Sequence, residues 1–501
     1  MLTKRASGIL LHPTSLPGMF GSGDLGRDAY RFVDWLASAG QTYWQVLPLG
    51  EIGPGNSPYM SASAFAGNIL LVDIAELAVH GWLDQDDLTP LPEFDPGRTD
   101  FAIVRPFRME RLRRAARRFL AGSNGEMRKA YEEFCDAEKE WLDDYALFMT
   151  IAGQQNGREW SHWPDELAHR DMRALRSVER DCAGETGFWK FCQWCFARQW
   201  SHLKNYANAR GIRIIGDVPI FVAYQSADVW AQNELFDLDE NGRPSVVAGV
   251  PPDYFSEIGQ LWGNPLYRWD AHERTGYAWW IARLRHALRI ADLVRIDHFR
   301  GFSSHWEIPG DASNAISGRW MPGHGEKLFE TLKATFSELP IIAEDLGLIT
   351  PDVIELRDKF NLPGMRILQF AFAEGEDHYF LPHRYVPNTV AYTGTHDNDT
   401  AIGWWNSASE REKAFAQKYL NSDGHEIHWD MMRALSGSAA NTVIFPMQDV
   451  LGLSSEHRMN FPGHPDGNWE WRFSWQQVRP EQTGRLAGMT AEHQRIPRRL
   501  P

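Results

Sequence analysis

Three carboxylates stand at the ends of three short apolar segments that lie far apart in the chain. Asp297 ends Leu-Val-Arg-Ile-Asp, Glu344 follows Ile-Ile-Ala, and Asp397 closes Tyr-Thr-Gly-Thr-His-Asp. An acid that follows a buried strand is costly to desolvate, and active sites are where such costs recur. We therefore expect the three side chains to meet in one active site.

The surroundings of these acids favour glycoside chemistry. Arg295 and Asp297 point to the same side of a strand, roughly 6 to 7 Å apart, so the guanidinium is expected to lower the pKa of Asp297 and keep it ionised. Glu344, on a neighbouring strand, is expected to be pushed towards its protonated form. Two such carboxyls about 5 to 5.5 Å apart would cleave a glycosidic bond with retention. Asp397, beside His396, would hold the sugar hydroxyls and favour ring distortion.

Eight short β-rich segments would position these groups. They span residues 8–11, 43–47, 212–217, 293–297, 341–344, 365–370, 390–395 and 443–447. Amphipathic helices lie between several of them, such as the helix with Ala29, Phe32, Val33 and Leu36 on one face, ending at Gly40. Strands that alternate with helices require a parallel sheet, so the chain is predicted to be an α/β protein, a (β/α)₈ TIM barrel with its site at the C-terminal rim of the strands.

Two connections hold most of the remaining length. A barrel needs about 250 residues, and the chain has 501. We predict one catalytic barrel over residues 1–501, with a mainly helical subdomain inserted at 50–211 and a substrate-binding loop subdomain inserted at 218–291. The second insertion includes Gly-Val-Pro-Pro-Asp-Tyr-Phe-Ser at 249–256. Its prolines disfavour regular structure, and the segment is predicted to be a lid or a binding loop. No C-terminal β-sandwich is expected.

The charge and the termini exclude several classes of partner. A formal net charge of -15 argues against nucleic acid or an anionic membrane, which both reward clustered Lys and Arg. No apolar segment approaches the roughly 20 residues that span a bilayer, and the N-terminus lacks the features of a signal peptide. Four cysteines do not make a disulfide framework in so long a chain, so a cytoplasmic location is expected.

Two motifs that imitate metal or redox sites are interpreted as structural. Cys192 and Cys195 form a C-x-x-C on a helical pattern and are predicted to be core residues. The segment 237–242 imitates the start of a calcium-binding loop, but Ala248 stands where the bidentate Glu belongs, so a turn is predicted. No metal and no cofactor is expected.

The aromatic residues in loops are candidates for stacking on sugar rings. The chain has 22 Trp, 14 Tyr and 27 Phe, and most of them are expected to pack in the core. Tyr59, Tyr254, Phe255 and Trp262 instead lie in loops rich in Pro and Gly. Their flat rings are predicted to stack on the apolar face of a sugar ring.

Four of these segments resemble the signature regions of the α-amylase superfamily. They are Gly-Asp-Val-Pro-Ile at 216–220, Arg-Ile-Asp-His-Phe-Arg-Gly at 295–301, Ala-Glu-Asp-Leu-Gly at 343–347 and Gly-Thr-His-Asp-Asn-Asp-Thr at 394–400. Together with Ser-Pro-Tyr at 57–59, the segment 249–255 and Leu-Trp-Gly-Asn-Pro at 261–265, they are similar to the amylomaltase family of 4-α-glucanotransferases. The resemblance runs from residue 8 to about 473.

The resemblance implies roles for individual residues. It implies that Asp297 is the nucleophile, Glu344 the acid/base and Asp397 the stabiliser of the transition state. It also implies two sets of residues that bind sugar. The central subsite would be formed by Tyr59, Asp217, Arg295, His298 and His396. Neighbouring subsites would be formed by Asp253, Tyr254, Phe255 and Trp262. One departure is His464, where the family is expected to carry Thr.

Four functions are compatible with these residues. The leading hypothesis is transfer of an α-1,4-glucan segment to another glucan, and the alternative is an α-glucan hydrolase with the same triad. A lid that excludes water favours transfer. A metal-dependent sugar isomerase would use the same acids and histidines as ligands, but Arg295 would oppose a cation. A non-catalytic glucan-binding protein would not need the triad. No oligomeric state is predicted.

Overall fold

A computed structural model describes residues 2–122, 125–252, 256–373, 375 and 378–496. The strands are β1 Ala6–Leu10, β2 Tyr43–Gln45, β3 Arg213–Pro219, β4 Val246–Val250, β5 Gln260–Pro265, β6 Leu293–Asp297, β7 Ser304–Pro309, β8 Arg319–Pro322, β9 Ile341–Ala343, β10 Gly364–Ile367, β11 Thr389–Tyr392 and β12 Thr442–Pro446. The α-helices are α1 Arg27–Ser38, α2 Ile74–Val79, α3 Phe101–Gly122, α4 Glu126–Gln154, α5 Asp165–Ala168, α6 Met172–Asp181, α7 Ala183–Ala209, α8 Ala227–Ala231, α9 Trp269–Arg274, α10 Ala278–Ile290, α11 Gly325–Phe336, α12 Pro351–Lys359, α13 Ala401–Ser407, α14 Glu410–Leu420, α15 Ile427–Gly437, α16 Met447–Leu451 and α17 Pro480–Glu492.

Eight of the strands form one parallel sheet that is nearly a closed barrel. Their order is β10-β11-β12-β1-β2-β3-β6-β9. The two end strands approach each other, because the Ala343 amide donates to the Pro363 carbonyl at 2.9 Å. The predicted TIM barrel is confirmed. The bounds differ by up to three residues, most of all at 365–370 and 390–395, where β10 ends at Ile367 and β11 ends at Tyr392. Leu368–Phe372 forms a 3₁₀ helix.

Burial explains why these strands could be predicted from apolar segments of the sequence. Every residue of β1, β9, β11 and β12 is buried, as expected for parallel strands that are covered on both faces. Helix α1 packs on the outside through Ala29, Phe32, Val33 and Leu36. It is followed by Gly40 with φ of +70°, the left-handed conformation that glycine adopts at least cost.

The connection from 50 to 211 carries helices α2 to α7. Helix α7 packs against both α3 and α4. Cys192 and Cys195 lie fully buried on α7 with free thiols, which confirms the interpretation that they are core residues. Among the helices of the described residues, none is long and apolar enough to cross a membrane.

A second, antiparallel sheet was not predicted from the sequence. Its order is β5-β4-β7-β8, so strands of the 218–291 insertion pair with strands that follow β6. Residues 249 and 250 belong to β4. The expectation of irregular structure there was wrong, because Gly249 pairs with Trp306 of β7 and Val250 pairs with Gln260 of β5. The segment 237–242 is a turn, as predicted, in which the Asn241 backbone N–H donates to the Asp239 carboxylate at 2.8 Å.

Candidate active site

The C-terminal ends of three neighbouring barrel strands bring the predicted residues together. Asp217 lies in β3, Asp297 ends β6, and Glu344 directly follows β9. Asp217 and Arg295 are register partners on β3 and β6. Because register partners point to the same side of a sheet, the two side chains meet at the top of the barrel.

Arg295 is a buried cation between two of the carboxylates. Its Nη1 donates to both carboxylate oxygens of Asp217 at 2.8 Å, and its Nη2 lies 2.8 Å from Oδ1 of Asp297. Burial acts to lower the pKa of Arg295, but Asp217 and Asp297 raise it well above the usual value. The guanidinium therefore stays charged and fixes both acids.

The pKa of Asp297 differs from the expectation. Burial raises it, Arg295 opposes that increase, and the nearby charges of Asp217 and Asp397 add to it. The predicted lowering was wrong, because Arg295 is shared with Asp217 and does not offset the loss of water around the carboxylate. The contact with Arg295 was predicted correctly.

Two backbone N–H groups orient the carboxyl of Glu344, while its burial determines its protonation. Its Oε2 accepts the His298 backbone N–H at 2.7 Å, and its Oε1 accepts the Leu346 N–H at 2.9 Å. Burial first, and then the neighbouring Asp297, raise the pKa of Glu344 to about 8. The prediction of a raised pKa is confirmed, and at neutral pH this carboxyl carries a proton that it can donate.

Tyr59 and His396 form one wall of the site. The Tyr59 hydroxyl donates to Oδ2 of Asp217 at 2.7 Å and lies 2.9 Å from Nε2 of His396. Since that hydroxyl proton is used on Asp217, Nε2 of His396 must be the donor to Tyr59. The two rings are stacked, with centroids 5.4 Å apart at 15°. Ser57 positions the tyrosine by accepting its backbone N–H at 3.2 Å.

Asp397 lies on a loop after β11 and is fixed by groups from elsewhere in the chain. The Asn460 amide donates to Oδ1 of Asp397 at 2.7 Å, and His396 Nε2 lies 3.3 Å from Oδ2. Arg458 donates to the Asp397 carbonyl at 2.9 Å. Neither Asn460 nor Arg458 was predicted from the sequence to contact Asp397. The only available signal was the loop-forming Asn-Phe-Pro-Gly segment that begins at 460.

His298 and Trp262 lie beside the nucleophile strand. His298 has φ of +53°, and this turn aims its N–H at Glu344. Burial and the charge of Arg300 lower the pKa of the His298 imidazole to about 3, so it is neutral. The Trp262 ring meets it edge to face at 4.8 Å and 85°. The predicted contacts Asp253, Tyr254 and Phe255 fall outside the described residues.

The charge balance of this site limits its chemistry. Arg295 occupies the space between Asp217 and Asp297 that a cation would need. In the part of the chain that the structure describes, no group of three or more His, Cys, Asp and Glu could hold a metal ion. An Arg-bound carboxylate beside a protonated carboxyl is the pairing that retaining glycoside chemistry uses.

Comparison with known proteins gives consistent matches along the chain. The model of glycoside hydrolase family 77, described as 4-alpha-glucanotransferase, matches residues 11–477. The 4-alpha-glucanotransferase of Thermus thermophilus is 51% identical over 500 residues, which cover 98% of this chain and 99% of the relative. The chloroplastic/amyloplastic 4-alpha-glucanotransferase of Arabidopsis thaliana is 44% identical over 94% of this chain and 82% of the relative.

Solved structures agree. The amylomaltase from Streptococcus agalactiae in complex with acarbose has a TM-score of 0.95 at 39% identity, covering 98% of this chain and 100% of that one. The amylomaltase from Corynebacterium glutamicum has a TM-score of 0.76 at 17% identity, covering 97% and 75%. At that identity the second likeness concerns the fold alone.

Proposed function

We propose a mechanism for this chain on the premise that it belongs to glycoside hydrolase family 77, the 4-alpha-glucanotransferases. The protein is a 4-α-glucanotransferase that moves α-1,4-glucan segments between maltooligosaccharides. The observation that carries the mechanism is the pairing of Asp297, bound by Arg295, with Glu344, whose pKa is raised to about 8.

The first half-reaction forms a covalent glycosyl-enzyme. Glu344 gives its proton to the glycosidic oxygen while the carboxylate of Asp297 attacks the anomeric carbon. The bond between that carbon and the glycosidic oxygen breaks, and the leaving glucan departs with the proton. Arg295 holds the anionic form of Asp297 in position, since it stays charged throughout.

The second half-reaction returns the segment to a sugar. The 4-hydroxyl of an acceptor glucan attacks the anomeric carbon, Glu344 takes the hydroxyl proton, and the ester bond to Asp297 breaks. Asp397, fixed by Asn460 and His396, accepts hydroxyl hydrogen bonds that strengthen as the sugar ring flattens. One glycosidic bond is broken and one is formed, so their number is unchanged.

The remaining residues bind the sugar on either side of the reacting bond. Tyr59, Asp217 and His396 form the wall of the central subsite, and Trp262 contacts an adjacent glucose from its position on His298. Asp253, Tyr254 and Phe255 complete this proposal on sequence grounds alone. An α-glucan hydrolase would share every step up to the glycosyl-enzyme. The aromatic residues proposed to bind the acceptor favour attack by a sugar hydroxyl over attack by water.

We also propose a cellular location, a metabolic role and a division of the chain into subdomains. All four cysteines are free, which supports a cytoplasmic location. The match to the 4-alpha-glucanotransferases supports a role in maltodextrin, starch or glycogen metabolism. The 50–211 insertion is proposed to be a helical subdomain. The 218–291 insertion is proposed to act together with β7 and β8, because β4 pairs with β7. No cofactor enters this scheme.

Products from maltotriose distinguish transfer from hydrolysis. We expect glucose and a ladder of longer glucans, with reducing ends that hardly increase, because each released segment is passed to another sugar. Chromatography of the products and a reducing-end assay on the same samples measure both quantities. Steady accumulation of reducing ends with no product longer than maltotriose would contradict the transferase assignment and favour the hydrolase.

A further inference from the structure

Trp320 is a large aromatic residue that stays exposed beside the catalytic rim. It lies on β8, an edge strand of the antiparallel sheet, and 37% of its surface is exposed. Register partners across the four strands place Leu261, Gly249, Trp306 and Trp320 in one row on one face of the sheet. Burying so large a ring is favourable, so its exposure requires an explanation.

A buried arginine holds the ring in a fixed orientation. The Arg300 guanidinium carbon lies 3.9 Å from the centroid of the Trp320 ring, and Trp306 meets the same ring edge to face at 5.2 Å and 70°. Arg300 is itself fixed, because it donates to Ser304 Oγ at 2.8 Å and to the Leu348 carbonyl. One face of the indole is thus backed by a cation, and a ring held in this way binds a ligand at little cost in side-chain entropy.

The same contacts locate Trp320 relative to the chemistry. Arg300 follows Asp297 by three residues, at most about 11 Å of backbone. Leu348 follows Glu344 by four residues, and 63% of its side chain is exposed. A general acid protonates the departing oxygen, so the loop that follows Glu344 borders the side on which the leaving glucan, and later the acceptor, lies.

Trp320 and Trp262 lie on opposite faces of the antiparallel sheet, because Leu261 shares the row of Trp320 and the Trp262 Nε1–H donates to Gln260 on the other face at 3.1 Å. Trp262, which contacts His298, lies on β5 at the opposite edge of the same sheet. Three strand spacings separate the two edges, about 14 Å. Trp320 is therefore a contact separate from Trp262, and a glucan would reach it past the loop that follows Glu344, where Arg300 donates to the Leu348 carbonyl and stacks on Trp320.

We propose that Trp320, backed by Arg300, is an outer stacking platform for the distal glucose units of long acceptor and leaving glucans. The inference rests on the proposed transferase function and adds a subsite that selects for chain length. The flat indole matches the apolar face of a glucose ring. A short acceptor that fills only the inner subsites does not reach it.

The test compares acceptors of two lengths in the full-length enzyme. For Trp320→Ala, we expect kcat/KM for transfer to maltoheptaose to fall about tenfold, equivalent to about 1.4 kcal/mol, and transfer to glucose to change by less than about twofold. Trp320→Phe, which keeps a flat ring, is expected to retain most of the transfer to maltoheptaose. Trp475→Ala is the matched control, because Arg31 stacks on Trp475 at 4.2 Å beside α1, and it is expected to show no dependence on acceptor length.

Two results would overturn the inference. An equal loss for both acceptors would show a structural role for Trp320. A change of oligomeric state in sedimentation, without any dependence on acceptor length, would show that Trp320 and the exposed Ile316 form a protein interface instead. Failure of the wild-type enzyme to lengthen maltotriose is a separate outcome that concerns the proposed function.

Discussion

The two sheets of this protein differ in burial. We relate the buried barrel to the proposed catalytic step and the more exposed antiparallel sheet to the proposed binding of glucan chains. The strands of the parallel barrel are enclosed by helices, and its register sets Asp217 opposite Arg295. The antiparallel sheet has open edges, where Leu261 and Trp320 are 40% and 37% exposed. A buried register fixes side chains to within a fraction of an ångström, as covalent catalysis needs, whereas an open edge leaves room for chains of different length.

Substitutions in the two sheets should therefore have different signatures. Changes at the ends of barrel strands should slow the reaction with every substrate, because they act on the glycosyl-enzyme itself. Changes in the antiparallel sheet should alter which acceptor is used and leave formation of the glycosyl-enzyme largely unchanged. The predictions below test this division, beginning with the largest effect.

Asp297→Asn should remove nearly all activity, about 10⁴-fold or more. An amide cannot form the ester, and no other group stands in its place. The fold should persist, because Arg295 keeps both hydrogen bonds to Asp217. Maltotriose turnover and a thermal melt measure the two effects, with the exposed Asp86→Asn as a control. Substantial turnover by the Asp297 variant would remove the nucleophile assignment.

Glu344→Gln should reduce turnover of maltotriose by about 10²- to 10⁴-fold, because the leaving oxygen is no longer protonated. A donor with a good leaving group needs no such proton, so it should still form the glycosyl-enzyme with this variant. Equal impairment with both donors would mean that Glu344 is not the acid.

The pH dependence of the wild-type enzyme tests the same residue. The pKa of Glu344 is raised to about 8, so its reactive protonated form is present below that pH and is lost above it. We expect kcat/KM for maltotriose to fall as the pH rises through about 8. The decline should be absent when Glu344→Gln is assayed with the activated donor. An alkaline decline that persists in this variant would belong to another group.

The barrel and the convergence of the three carboxylates at its rim could be predicted because their signals are local. A strand buried on both faces is a continuous apolar run, as in Ile341–Ala343, and the acid that follows it stands out against that run. Alternation with helices then determines the architecture. The raised pKa of Glu344 could be predicted because a second carboxyl beside an ionised one in a dry cleft is pushed towards its protonated form.

The pairing between β4 and β7, which unites the antiparallel sheet, could not be predicted because it is long-range. β4 contains Gly249 and is followed by two prolines, and its partner β7 begins more than fifty residues later. Neither strand has a hairpin turn to mark the pairing. The raised pKa of Asp297 escaped prediction because burial raises it more than Arg295, which Asp217 shares across two strands, lowers it. The hydrogen bond from Asn460 to Asp397 likewise joins residues far apart in the chain, so the sequence gives no sign of it.

The smallest effect should come from Trp262→Ala, at the edge of the antiparallel sheet nearest the nucleophile. Loss of the ring that packs on His298 at 4.8 Å removes an acceptor contact and admits water, so the ratio of hydrolysis to transfer from maltotriose should rise a few-fold. Reducing ends released per segment transferred measure this ratio, and Trp475→Ala should leave it unchanged. Glycosyl-enzyme formation from an activated donor should stay within about twofold of wild type, because no group that acts in that step is altered. If Trp262→Ala slows that step as much as it slows transfer, the residue belongs to the chemistry of the barrel rim and the division between the two sheets fails.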